Sequence, residues 1–342
     1  MAEIGVILAG VGAVGQNLTR LLSARPGLRL AAAYTRNPRF AGRDLGLHSG
    51  ARPIGVEITT DRGAALEQDA DLLLVATTSF LKVVAGDLRA GIDRGLNAIT
   101  TAEEASFPWL VDEHLANELD GRARDRGVSI LGAGLNPGFV FDALLLTASG
   151  IAWDVSRIGL RRVVDVSGFS ATVQRRLGIG FSREDFEAGV EAGTIRGHIG
   201  FPQSFSLAAR CPGRSLERID KSFEPLIADH SLGNERLRVE TGTTGGFVQR
   251  VSGFGAGHPW IEAEFIAHVD PPGVGLGSRD SISIDGHNPI NLSIDPGCNP
   301  QLGTAGMLAN CIPRVVEAQP GFITVADLAI PHARPTRREV RF

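Results

Sequence analysis

Ile4-Gly-Val-Ile-Leu-Ala-Gly-Val-Gly-Ala-Val-Gly15 opens on an apolar run and ends in glycines spaced G-x-G-x-x-G. The spacing alone is a weak signal in a chain with 43 glycines. Its setting is stronger. A strand-like run precedes it, and a helical pattern from Val14 to Ser23 follows, with Leu18, Leu21 and Leu22 on one side. In a strand–turn–helix of this kind Gly10 permits the tight turn and Gly12 lets the backbone approach a pyrophosphate. Gly15 lets helix and strand pack closely, and the phosphates rest on free N–H groups at the helix start, around Val14. A dinucleotide site is therefore expected; the competing reading is a plain βα turn.

The same alternation continues outward. Leu28 to Tyr34, Asp71 to Ala76, Asn97 to Thr101 and Val128 to Gly132 read as strands. Helical patterns over Lys82 to Arg94 and Val111 to Arg126 separate them, and a short helix ends over Leu66 to Asp69. This spacing predicts βαβ units and a parallel sheet, an α/β fold. After about residue 150 the pattern changes. Ile158 to Val166 reads as a long strand, and Ser182 to Ala192 as a helix with Ser182 and Asp185 placed like a capping box. Leu237 to Thr241, Phe247 to Val251, Trp260 to Val269 and Asp280 to Ile284 look like antiparallel strands of a second, α+β domain. Gly303 to Glu317 is helical again, and Pro313 is expected to kink or end it. Domains are drawn at 1–140, 141–300 and 301–342, the last segment returning to the first domain.

Bulk properties narrow the functions. At 342 residues the chain is long for one core and comfortable for two. A hydrophobic content of 43% and a charged content of 21% are ordinary for a soluble globular protein. A formal net charge of -4 without a basic block gives no reason to expect nucleic acid or a membrane surface as partner. Cys211, Cys298 and Cys311 are too scattered for a disulfide framework and fit a reducing, cytoplasmic compartment. The N-terminus reads as a first strand and not as a signal peptide, and no run approaches a membrane span. No Cys/His cluster has zinc spacing, so no metal is expected.

Strand ends supply the candidate chemistry, because ligands of open α/β sheets bind at the carboxyl ends of the strands. After Leu28 to Tyr34 come Thr35-Arg36-Asn37, with Arg39 close by, where an acid would favour NAD. An arginine and a hydroxyl suit a 2′-phosphate, so NADP(H) is preferred and NAD(H) also accepted. Thr77 and Thr78 end the Asp71 to Ala76 strand. They are placed to line the nicotinamide ribose side or to cap the next helix. Glu103 and Glu104 lie just past Thr101, screened by Phe107, Pro108 and Trp109. A carboxylate there, beside a nicotinamide, serves as a general acid/base near neutral pH. Alternatively both are first-turn acids of a helix beginning near Pro108. Asn136, in Gly134-Leu-Asn-Pro-Gly138, offers a donor and an acceptor to a nicotinamide amide or a substrate, or simply occupies a turn. His198, in Gly197-His-Ile-Gly-Phe-Pro-Gln203, is a lone histidine.

Taken together, GVGAVG, TTAEEASFPW, GAGLNPGFVFD, VQRRLGIGFSREDFEAG, GHIGFPQSF and DGHNPINLSIDPG followed by TAGMLANCIPRV resemble the 2,4-diaminopentanoate dehydrogenases. The related native amine dehydrogenases, often labelled dihydrodipicolinate reductase-like, share the likeness, which covers nearly the whole chain. It implies a Rossmann-type doubly wound domain and a substrate domain that also makes a homodimer. It implies NAD(P)-dependent oxidative deamination or its reverse, with a small carbonyl or amine substrate and ammonia. By position in the paired-acid motif it implies Glu104 as the catalytic residue, with Glu103 as fallback. That residue would hold ammonia, remove its extra proton and shuttle protons as carbinolamine loses water. The paired-histidine and lysine motif of a true dihydrodipicolinate reductase is not here. Where the diaminopentanoate enzymes are expected to carry an acid, Gln203 stands. Phe139, Phe141, Phe169, Val173 and Phe201, with His198 and Gln203, would line an apolar pocket; core packing is the other reading of each Phe. The balance favours a simple ketone or aldehyde and its primary amine. A diamino-acid dehydrogenase, a carbonyl reductase independent of ammonium and a non-catalytic dinucleotide sensor are the alternatives.

Overall fold

Strand β1 (Ile4–Ala9) is buried from Gly5 onward, because helices cover both faces of the sheet it starts. The computed structural model describes residues 3–210, 213–234 and 237–336. Cys211 and the end of the 301–342 segment lie outside the described residues. The chain divides into two compact units, 1–144 with 299–342, and 145–298.

In the first unit β1 is followed by α1 (Ala13–Ser23), β2 (Leu28–Tyr34), α2 (Leu45–His48), β3 (Ile58–Thr59) and α3 (Arg62–Leu66). Next come β4 (Leu72–Val75), α4 (Leu81–Asp93), β5 (Asn97–Thr100), α5 (Glu113–Arg126) and β6 (Ser129–Gly132). Helix starts are chemically marked: Asp61 accepts the Ala64 N–H, and Asp112 accepts the Leu115 N–H at 3.0 Å. Gly127, at φ 68°, takes the left-handed turn that ends α5. Two short 3-10 turns, Glu103–Ser106 and Pro108–Leu110, fill the link from β5 to α5. Ile7, Leu73, Val84, Leu88 and Ile130 belong to the core between sheet and helices, where each such side chain stabilises by roughly 1.5–3 kcal/mol.

The second unit begins with α6 (Leu145–Ser149), β7 (Arg157–Asp165), α7 (Ala171–Arg176), α8 (Arg183–Glu191) and α9 (Phe201–Arg210). Strands β8 (Arg218–Ile227), β9 (Leu232–Asn234), β10 (Leu237–Val239), β11 (Thr244–Gly255), β12 (His258–His268), β13 (Arg279–Asp285) and β14 (Ile290–Ile294) follow. Six strands form one sheet in the order β14-β13-β7-β12-β11-β8, antiparallel except where β12 runs parallel to β7. The expected strand over Leu237 to Thr241 is instead half of a separate β9–β10 hairpin. Of the expected capping box, the Ser182 half forms, accepting the Asp185 N–H at 3.0 Å. Phe186, Phe247, Val164 and Val166 build the core on one face of the sheet. On β7, Arg162 is buried against Asp280 of β13 at 2.9 Å.

The chain then completes the first unit with α10 (Pro300–Val316) and β15 (Gly321–Ile323). Helix α10 packs against α1, and Arg25 donates to Asn310 at 2.7 Å. Pro313 does not end the helix; three further residues follow it, so termination comes almost one turn after the proline. The finished sheet has the order β15-β6-β5-β4-β1-β2-β3 with every pair parallel. That is a doubly wound Rossmann-type sheet, whose strand order reverses between β1 and β4.

Candidate active site

The glycine loop sits at that reversal. Gly10 has φ +96°, and a Cβ there would meet the Ala76 carbonyl at 2.5 Å and the Thr77 methyl at 2.8 Å. Gly15 faces the Gly10 carbonyl, which a Cβ would approach to 2.1 Å, so only glycine lets α1 lie this close. Gly12 differs: a Cβ there meets nothing within 4 Å. Its demand for glycine is therefore absent from the protein alone and fits a ligand resting on the loop. Helix α1 has Gly12 at its N-cap position, with no side-chain cap and no acid in its first turn, leaving the N–H groups from Ala13 to Gly15 for an anion. These features fit the pyrophosphate of a dinucleotide. Sequence reasoning missed His48, whose Nε2 lies 2.9 Å from the Val11 carbonyl and so braces the loop.

At the end of β2, half-buried Thr35 leads into a turn on which Arg36, Asn37 and Arg39 are exposed. The Asn37 N–H donates to Thr35 Oγ1 at 3.2 Å, and Asn37 Oδ1 accepts the Arg39 N–H at 3.1 Å. Arg36 is not a free cation; it pairs with the buried Asp87 at 3.1 Å. Asp87, like Arg62, had no local sequence signal, because the contact spans 51 residues.

The paired acids diverge. Ser79 Oγ donates to Glu103 Oε1 at 2.8 Å, while Glu104 Oε2 accepts the Leu81 N–H at 2.8 Å. Neither caps the helix after them, which begins at Glu113 under Asp112. Nor does Thr77 or Thr78 cap α4. Its N-cap position is Phe80, and Glu104 supplies the acceptor its first turn needs. Glu104 Oε1 has no hydrogen-bond partner among the described residues. Both glutamates are half-buried past the carboxyl end of β5, near the end of β4. Asn136 follows β6, and its Oδ1 is buried with no hydrogen-bond partner among the described residues. Phe139 is half-buried and Phe141 fully buried in the π-helical turn Phe139–Leu144.

Within the second unit, His198 stacks edge-on against Phe201 at 4.6 Å and lies 5.9 Å from Phe265. Gln249 holds the backbone of His198 at both ends, accepting its N–H at 2.9 Å and donating to its carbonyl at 2.8 Å. Phe201 is fully buried at the start of α9, and Phe169 packs half-buried against the aromatic core. Gln203 is 5% exposed, and its Oε1 has no hydrogen-bond partner among the described residues. Val173 is exposed on α7. Among the described residues no group of three or more His, Cys, Asp or Glu is arranged to hold a metal ion. None of their helices is long and apolar enough to cross a membrane.

Residues 139–340 match the family model described as the 2,4-diaminopentanoate dehydrogenase C-terminal domain, and residues 4–100 match the dihydrodipicolinate reductase N-terminus. The 2,4-diaminopentanoate dehydrogenase of Acetoanaerobium sticklandii is 31% identical over 338 residues, covering 97% of this chain and 95% of that relative. The chain belongs to the 2,4-diaminopentanoate dehydrogenase family. An amine dehydrogenase of Streptomyces virginiae is 25% identical over 96% of both chains. The solved amine dehydrogenase of Mycobacterium smegmatis superposes with a TM-score of 0.85 at 25% identity, covering 97% of this chain and 98% of that one. Family membership agrees with the order of motifs from the glycine loop to α10.

Proposed function

We propose that this chain is an NAD(P)H-dependent amine dehydrogenase that joins a small ketone or aldehyde to ammonia, giving a primary amine and water. The observation that carries the chemistry is Glu104: one carboxylate oxygen is anchored on the Leu81 N–H, and the other has no partner among the described residues. The same unit presents the uncapped start of α1 for a dinucleotide. When bound, the reduced nicotinamide supplies a hydride to the substrate's iminium carbon. Glu104 takes one proton from ammonium, leaving ammonia to attack the carbonyl carbon. As the C–N bond forms and the carbonyl π bond breaks, a proton passes from nitrogen to oxygen and gives the neutral carbinolamine. Glu104 returns its proton to the carbinolamine hydroxyl, which departs as water and leaves the iminium. Its anchor on Leu81 keeps the carboxylate in place through both transfers. Glu103, bonded to Ser79, is the fallback for this role. Asn136 would give its buried Oδ1 to the nicotinamide amide or the substrate.

Thr35, Arg36, Asn37 and Arg39, with no acid among them, support a preference for NADP(H) over NAD(H). Homodimerisation is proposed through the sheet of the second unit. The face away from its aromatic core carries Arg157, Arg161, Arg250, Glu262 and Glu264 around an open groove of about 630 Å³, a mixed-charge surface that a second copy could match. A cytoplasmic location is proposed from the scattered cysteines.

A second reading, a diamino-acid dehydrogenase of the 2,4-diaminopentanoate type, is favoured by the 31% identity to that enzyme. Gln203 argues the other way, since a neutral amide gives a second ammonium no counter-charge. The test is reduced-cofactor consumption with a panel of simple ketones and aldehydes, with and without ammonium, beside NADP+ reduction by 2,4-diaminopentanoate. Ammonium-dependent turnover of simple carbonyls establishes the first reading. Turnover of the diamino acid alone establishes the second. Ammonium-independent turnover makes the chain a carbonyl reductase and removes the role given to Glu104.

A further inference from the structure

Asp87 lies near the middle of α4, 2% exposed. Three side chains from two other elements and a loop converge on it. Tyr34 donates its hydroxyl to Oδ1 at 3.1 Å, Arg36 contacts Oδ2 at 3.1 Å, and Arg62 contacts Oδ1 at 3.4 Å. Arg62 is fixed a second time, donating to the Gly86 carbonyl at 3.2 Å. Both arginine side chains nevertheless remain 66% and 48% exposed. The arrangement therefore holds two guanidiniums by one edge each and leaves the rest of each facing outward. Two cations over one carboxylate leave a net positive charge at the carboxyl end of β2. Arg62 is also the first residue of α3, where a cation gains nothing from the helix dipole, so helix stability does not account for it.

We infer that Asp87 is a positioning residue that sets Arg36 and Arg62 as a two-guanidinium cradle for the 2′-phosphate of NADP(H), with Arg62 as its second ligand. The inference rests on the proposed preference for NADP(H) at Arg36. A dianionic phosphate takes charge-assisted bonds from two planar guanidiniums better than from one, and a guanidinium already held by a buried carboxylate loses less freedom on binding. Asp87 itself repels the phosphate, but it lies behind the two arginines.

The test is binding, which needs no substrate. The full chain is titrated with NADPH and NADH by fluorescence, and with 2′,5′-ADP and 5′-ADP by calorimetry. Arg36→Ala, Arg62→Ala and Asp87→Asn are compared with the parent, and thermal unfolding is followed for each. Arg62→Ala is expected to weaken NADPH and 2′,5′-ADP about tenfold and to leave NADH and 5′-ADP within about twofold. Asp87→Asn is expected to move the same ratio in the same direction. Equal losses for both cofactors, or tighter NADPH binding in Asp87→Asn, overturn the inference. Should Asp87→Asn fail to fold, the surface variant Arg62→Ala decides alone. If Arg36→Ala leaves the ratio of the two cofactors unchanged, the NADP(H) preference itself fails. If Arg36→Ala shifts it and Arg62→Ala does not, only the cradle fails.

Discussion

Glu104 and Leu81 meet across 23 residues of chain, the carboxylate accepting the backbone N–H at 2.8 Å. Under the proposed mechanism the bond gives one side chain two duties, capping α4 and leaving an oxygen for proton transfer. Glu104→Gln keeps an acceptor for Leu81 and loses the base. It should lower kcat by about 10²–10⁴ while the melting temperature and NADPH binding stay near the parent's. Glu104→Ala loses both duties and should cost a further ~1 kcal/mol of stability. Steady-state kinetics beside thermal unfolding separates the two; an active Glu104→Gln variant would transfer the role to Glu103.

Gly12 and Gly15 share a motif and make opposite demands. A Cβ at Gly12 meets nothing within 4 Å, whereas one at Gly15 lies 2.1 Å from the Gly10 carbonyl. Gly12→Ala should therefore unfold at the parent's temperature but bind NADPH at least about tenfold more weakly, because its methyl intrudes where the pyrophosphate rests. Gly15→Ala should destabilise the protein by about 1–3 kcal/mol before any cofactor is added.

Arg162 and Asp280 are both nearly sealed from water, 4% and 1% exposed, at 2.9 Å. Burial pulls the arginine below its ordinary range, and Asp280 opposes that pull. Asp280 also accepts the Cys298 N–H at 2.8 Å. Asp280→Asn leaves a buried cation without its counter-charge and should cost about 3–5 kcal/mol, read as a lower urea midpoint. Replacing both partners with apolar residues of matching volume should recover most of that loss.

His268 is buried at the end of β12, where its Nδ1 accepts the Asp270 N–H at 3.0 Å. Burial lowers its pKa below the ordinary 6.5. The unfolded chain then binds this proton more readily than the folded one, so its contribution to stability is complete above 6.5 and is lost as pH falls towards the folded value. Melting temperatures measured downward from neutrality should decline, and the decline should be shallower in His268→Asn, which retains an acceptor for Asp270. An identical slope in both proteins would assign the acid sensitivity to other groups.

The sequence by itself determined the doubly wound first domain, the glycine loop, the second domain and the family. Those features are written locally: apolar runs of strand length, helical periodicity between them, and glycines whose spacing has a steric reason. Only the tertiary structure decided what depends on distance through space. Strands β3 and β15 have two and three residues and carry no periodic signal; pairing with β2 and β6 creates them. Leu237–Val239 reads as strand wherever it pairs, so its separation into a hairpin is a matter of partner choice. The two glutamates are indistinguishable as neighbours in sequence. They differ because adjacent side chains point apart, one to the Ser79 hydroxyl and the other to the Leu81 N–H. Asp87 carries no signal of its own in the sequence; folding buries it under Tyr34, Arg36 and Arg62. A side chain's role here follows from its partners, and folding, not sequence proximity, brings those partners together.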